Sequence, residues 1–149
     1  MAAYGSLAGV AAFVRHMTFD ADNQATSADV LAWLDARAAM LTGWLADAGY
    51  AVPVTQADAT AVLDRYANIG AAGDAELAQR SAGYQAEGED VRENKFLAEW
   101  NRAQAWIAGD ALAALGVPRA AGAGNAALAW VPATYRGASV TDEYSRRGC

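Results

Sequence analysis

The residues of this sequence that could perform chemistry are few and far apart. His16 is the one histidine, and Cys149 is the one cysteine. A Ser/His/Asp or Cys/His catalytic set needs a base and an orienting group beside its nucleophile, and a structural zinc site needs about four ligands of these kinds. We therefore expect no enzymatic activity, no cofactor and no metal site. His16 is expected to be a helix-end residue.

A second candidate for chemistry is a cluster of carboxylates at Glu87, Glu89, Asp90 and Glu93. Paired carboxylates can hold a magnesium ion or divide their pKa values for acid and base catalysis. Acidic side chains are also favoured in the first turn of a helix, where they meet the positive end of the helix dipole. The cluster is therefore interpreted as the start of a helix.

The charge balance disfavours direct nucleic-acid binding. The chain carries 11 basic and 17 acidic residues and a net charge of −6, whereas tight binding to phosphates needs a basic surface. An acidic surface is compatible with a channel through which DNA slides without specific binding, and it is also ordinary for a soluble bacterial protein.

Apolar runs end well before the ~20 residues of a membrane span, and one cysteine allows no internal disulfide. These features predict a protein made in the cytoplasm, without a membrane partner.

The elements that would position these residues are predicted to be helices, because alanine is abundant and the sequence has only three prolines. We predict an all-α, small helical bundle of about four helices over residues 1–118. The first helix runs over 7–14 after Ser6, and the second runs over 28–48 with Ser27 as its N-cap. The third begins near Gln56, and the fourth follows a polar loop at 81–93 and continues to Leu115, with Gly116 as its stop.

The second helix has two apolar stripes. Leu31, Leu34, Ala38, Leu41 and Leu45 recur at helical spacing and are predicted to face the core. About 90° away lies a second stripe, the aromatic stripe, which consists of Trp33, Met40 and Trp44. Either the aromatic stripe contacts another subunit, or both stripes are buried within one bundle. In the third helix the residues predicted to share the core face are Val62, Tyr66, Ile69, Gly73 and Leu77.

Residues 119–149 are predicted to form a C-terminal arm. An Ala/Gly-rich stretch is followed by Tyr and Arg residues, which are enriched at the centres of interfaces. We predict that the arm becomes ordered on a partner, and the alternative is a frayed terminus without a role. The predicted partner-contacting residues of the arm are Tyr135, Arg136, Tyr144, Arg146 and Arg147.

The order of these segments resembles the head-to-tail connector family of tailed bacteriophages. The resemblance rests on a long helix with a Tyr and Pro turn, SADVLAWLDARAAMLTGWLADAGYAVPVT, then DATAVLDRYANIGAAGDAELAQR and ENKFLAEWNRAQAWIAGDALAALGV. It implies a helical adaptor subunit in the virion neck, twelve copies of which form a ring around the DNA channel. The implied partners are the portal protein above and a stopper or tail-completion protein below. The alternative hypothesis is a small acidic helical regulator, such as an antitoxin or a DNA mimic.

Overall fold

The computed structural model describes residues 4–21, 25–81 and 90–121, with side chains given except at 80, 81 and 90–94. This part of the chain forms five helices, namely α1 (Leu7–Phe13), α2 (Ser27–Asp47), α3 (Ala57–Ser81), α4 (Asp90–Ala108) and α5 (Ala111–Ala114). Within the same residues the one extended pairing is an isolated bridge between Tyr50 and Arg119. The predicted all-α helical bundle is confirmed, with a one-turn fifth helix added to the four expected.

The short helix α1 is fixed to α3 through its first residues. Ser6 is the N-cap, as predicted, and its hydroxyl accepts a hydrogen bond from the Gly9 amide. The Gly5 amide donates to Asp64 at 2.8 Å, and the Ser6 amide donates to Asn68 at 2.9 Å. Two side chains of α3 therefore bind the residues that precede α1. Helix α1 ends at Phe13, one residue before the predicted end.

Helix α2 begins with a capping box one residue earlier than predicted. Thr26, and not Ser27, is the N-cap: its side chain accepts a hydrogen bond from the Asp29 amide, and the Asp29 carboxylate accepts from the Thr26 backbone. The hydroxyl of Ser27 donates to the Phe19 carbonyl instead. The Thr26 hydroxyl also donates to the Asp29 carboxylate at 2.6 Å. This hydrogen bond, followed by the one from the Thr26 backbone, lowers the pKa of Asp29.

The core face of α2 is confirmed except at one end. Leu34, Ala38, Leu41 and Leu45 are buried, but Leu31 is 48% exposed, so its predicted place in the core is wrong. Val30 occupies that position because it lies four residues before Leu34, whereas Leu31 lies at the edge of the buried face.

Helix α3 is the centre of the bundle, since α1, α2 and α4 all pack against it. The face of α3 that the sequence predicted to lie in the core is wrong, because a different set of residues around the helix is buried. Of its residues only Ile69 is fully buried, and Leu77 is 52% exposed. The apolar side chains buried in its place are mostly small, which lets neighbouring helices approach closely; they are Ala59, Leu63, Ala67, Ala71, Ala72 and Ala75.

The predicted continuous helix to Leu115 is also wrong. Helix α4 ends at Ala108, and a break at Gly109 and Asp110 separates it from α5. The hydroxyl of Tyr50 donates to the Gly109 carbonyl at 3.0 Å, so a tertiary contact takes the place of an internal helical one. Gly116, with φ of +77°, ends α5 where the sequence predicted a stop.

The described chain ends against the turn between α2 and α3, in which the Val52–Pro53 peptide is cis. The Ala51 amide donates to Pro118, and the Ala120 amide donates to Gly49. The Arg119 guanidinium lies 4.2 Å from the Tyr50 ring centroid. The first residues of the predicted arm are thus attached to the bundle, while residues 122–149 lie outside the described part of the chain.

Candidate functional site

The aromatic stripe of α2 is shared between the bundle and its surface. Trp33 and Trp44 are partly buried against the core, and the Trp44 ring lies 5.0 Å from that of Trp100, centroid to centroid. Met40 is 43% exposed. The two tryptophans therefore contribute to the packing of their own bundle. Met40 is the most exposed of the three residues of the stripe.

Arg37 fixes the side of α2 that carries the aromatic stripe against α3 and α4. Its Nε donates to the Asp74 carboxylate at 2.8 Å, and its Nη2 donates to the second oxygen of the same carboxylate. The guanidinium also lies 4.8 Å from the centroid of the Trp100 ring. A Cβ on Gly70 would lie 2.8 Å from the Trp100 ring and 2.9 Å from Arg37. The absence of a side chain at Gly70 thus permits this three-helix contact.

A groove of about 420 Å³ opens between α1 and α4 over the outer side of α3. We call it the α1–α4 groove, and its lining consists of Phe13, Arg65, Ile69, Lys95, Phe96 and Glu99. Ile69 is buried at the floor, and the rings of Phe13 and Phe96 meet edge to face with centroids 6.4 Å apart. The groove therefore combines an apolar interior with a charged rim.

Among the described residues that line the α1–α4 groove, two are cationic, Arg65 and Lys95, and one is anionic, Glu99. The Glu99 carboxylate lies 3.5 Å from the Arg65 guanidinium and 2.9 Å from that of Arg102. Lys95, which also lines the groove, is exposed. Nearby, burial and then the negative charge of Glu99 raise the pKa of Tyr66.

A smaller cleft of about 160 Å³ lies on the other side of Phe96, between α2, α3 and α4. Leu77 and Leu97 border this cleft and are 52% and 50% exposed. Together with Phe13, which is 39% exposed, they surround Phe96 with accessible apolar surface. Soluble proteins expose single apolar side chains routinely, but clustered ones mark contact surfaces.

The outer face of α2 is a second accessible apolar surface. Leu31 and Met40 lie at its two edges, about 180° apart around the helix axis, and the exposed residues between them are mostly small; they are Ala28, Ala32, Asp35, Ala36, Ala39, Gly43, Ala46 and Asp47. The exposed charged residues of this helix are Asp35 and Asp47, and none of its exposed residues is basic. A helix face of this composition is smooth, apolar and weakly negative.

The residues considered for catalysis or metal binding lie away from these surfaces or outside the described part of the chain. His16 follows α1, and its Nε2 lies 3.2 Å from Oε1 of the buried Glu76; the direction is not that of a hydrogen bond, and this oxygen accepts none from the described residues. No group of three His, Cys, Asp or Glu side chains suited to a metal occurs within the described ranges. No helix in those ranges is long and apolar enough to cross a membrane.

Several predicted residues cannot be placed. Glu87 and Glu89 lie outside the described residues, and the side chains of Asp90 and Glu93 are not described, although α4 does begin at Asp90. The five residues predicted for the arm also lie outside the described part; they are Tyr135, Arg136, Tyr144, Arg146 and Arg147.

Sequence reasoning missed the α1–α4 groove. Phe13 and Phe96 meet across more than eighty positions of sequence, and no local pattern announces such a contact. Sequence reasoning also missed the exposure of Leu77, which it had assigned to the core face of α3. Leu97 lies three positions before the buried Trp100, at the edge of the same face of α4, so its exposure had no sequence signal either.

Comparisons of the chain with protein-family models, curated proteins and solved structures found no match.

Proposed function

We propose that this chain is a head-to-tail adaptor subunit of a tailed bacteriophage. In this role it would be a non-enzymatic component of the virion neck and form a ring between the portal and a stopper or tail-completion protein. DNA would pass through the ring without specific binding. The ring would contain twelve copies, as the resemblance implies.

The observation that carries the proposal is the order of the three long helices. Helices α2 and α3 fall on the first two segments on which the resemblance rests, the third segment carries most of α4 and all of α5, and the tyrosine and proline between α2 and α3 lie in a turn. The turn is not a passive linker, because the hydroxyl of Tyr50 reaches Gly109. The three segments on which the resemblance rests are therefore helices of one bundle, and this supports the proposal.

The surfaces support an interaction role. Five of the exposed large apolar side chains border the α1–α4 groove or its neighbouring cleft, or lie on α2; they are Phe13, Leu77, Leu97, Leu31 and Met40. A subunit of a ring needs a different surface for each neighbour. An adaptor would use such surfaces for its neighbours, whereas a monomeric regulator would need one of them.

The experiment is co-sedimentation of the full chain with purified portal rings encoded beside it, followed by electron microscopy of the pelleted complexes. We expect a ring of additional density on one face of the portal. A chain that stays in the supernatant at all concentrations contradicts the adaptor role. Binding to a toxin or to a DNA-binding protein in a parallel pull-down would then favour the regulator.

A further inference from the structure

We draw no further inference here: the strongest candidate, the exposed apolar patch that Leu77 and Leu97 form beside Phe96 at the cleft between α2, α3 and α4, carries none because nothing in the described part of the chain shows what covers it.

Discussion

The hydroxyl of Tyr50 donates a hydrogen bond to the main-chain carbonyl of Gly109, 59 positions later and 3.0 Å away. Tyr50 follows the end of α2, and Gly109 follows the end of α4, so this bond joins the ends of two helices at one side of the bundle. Tyr50 is 1% exposed, and its ring lies under the Arg119 guanidinium. One side chain thus holds the α2–α3 turn, the end of α4 and the segment after α5 together.

We expect Tyr50→Phe to lower the free energy of unfolding by about 1 kcal/mol, the usual net contribution of a neutral hydrogen bond. The ring and its packing remain, and Gly109 is exposed, so water can replace the lost donor. Urea unfolding followed by circular dichroism measures the change. Tyr4→Phe is the companion variant: the Tyr4 hydroxyl accepts from the buried Val54 amide, and an unsatisfied buried donor costs about 1–3 kcal/mol. A larger loss in Tyr50→Phe than in Tyr4→Phe would refute this reasoning.

Gly70→Ala should destabilise the protein although alanine is the better helix former. The new methyl group would lie 2.8 Å from the Trp100 ring, and forced repacking costs about 1–3 kcal/mol. Gly43→Ala is the matched control, because a Cβ there has no atom within 4 Å. It should stabilise the protein by up to about 1 kcal/mol through helix propensity. Thermal unfolding of both variants should show shifts of opposite sign, and shifts of the same sign would contradict the close approach of Trp100.

The capping box predicts an acid-dependent contribution to stability. Hydrogen bonds from Thr26 lower the folded-state pKa of Asp29 below its ordinary 3.8. A depressed carboxyl pKa means that the contribution is present above the unfolded pKa and is lost as the pH falls through the folded one. The difference in melting temperature between the parent and Asp29→Asn should therefore be largest near neutral pH and shrink below about pH 4.

Asp47→Asn controls for the loss of one carboxylate from the same helix. Asp47 is the last residue of α2, where the helix dipole disfavours negative charge, so its removal should be neutral or slightly stabilising. A pH dependence of Asp29→Asn no different from that of Asp47→Asn would remove the capping box as its cause.

Met40 and Trp44 separate the two interpretations of the aromatic stripe. Trp44→Ala removes a ring that contacts Trp100 and should lower stability by about 3–5 kcal/mol if the site does not relax. Met40→Ala should change stability little, because Met40 is 43% exposed, while weakening assembly on portal rings. Co-sedimentation across a range of concentrations measures the second effect. If Met40→Ala joins portal rings with undiminished affinity, the exposed part of the stripe has no role in that contact.

The arm is tested by truncation after Pro132, which removes all five of its predicted contact residues. We expect the shortened chain to keep its helical signal and its unfolding transition but to lose binding to portal rings, because Tyr and Arg side chains are typical interface anchors. Retained binding at full strength would exclude residues 133–149 from the contact. A lost unfolding transition would show instead that these residues belong to the folded body.

The elements that sequence predicted well are those in which large apolar residues define the core. Leu34, Leu41 and Leu45 placed the buried face of α2 correctly, since spacings of seven and four positions return to the same side of a helix. The buried face of α3 was predicted wrongly, because the residues buried on it are mostly alanines and alanine is also common elsewhere in the chain. Its larger residues, such as Tyr66 and Leu77, flank the buried alanines.

The break between α4 and α5 could not be predicted for a different reason. Gly109 and Asp110 are tolerated inside many helices, and the partner that accompanies the break, Tyr50, is distant in sequence. The α1–α4 groove has the same origin, because it exists only where Phe13 and Phe96 come together. Features made by tertiary contact leave no local period to detect.

The two ends of the described body are both anchored on the turn between α2 and α3. Tyr4 accepts the Val54 amide near one end, and Arg119 pairs with Tyr50 near the other. A tensile force applied between residues 4 and 121 would first load these few contacts and the short turn that joins them. The first half of α3 would share the load through the hydrogen bonds of Gly5 and Ser6, whereas α2 and α4 would bear tension only after those contacts had broken. Most of the bundle is thus mechanically shielded from a pull on its chain ends.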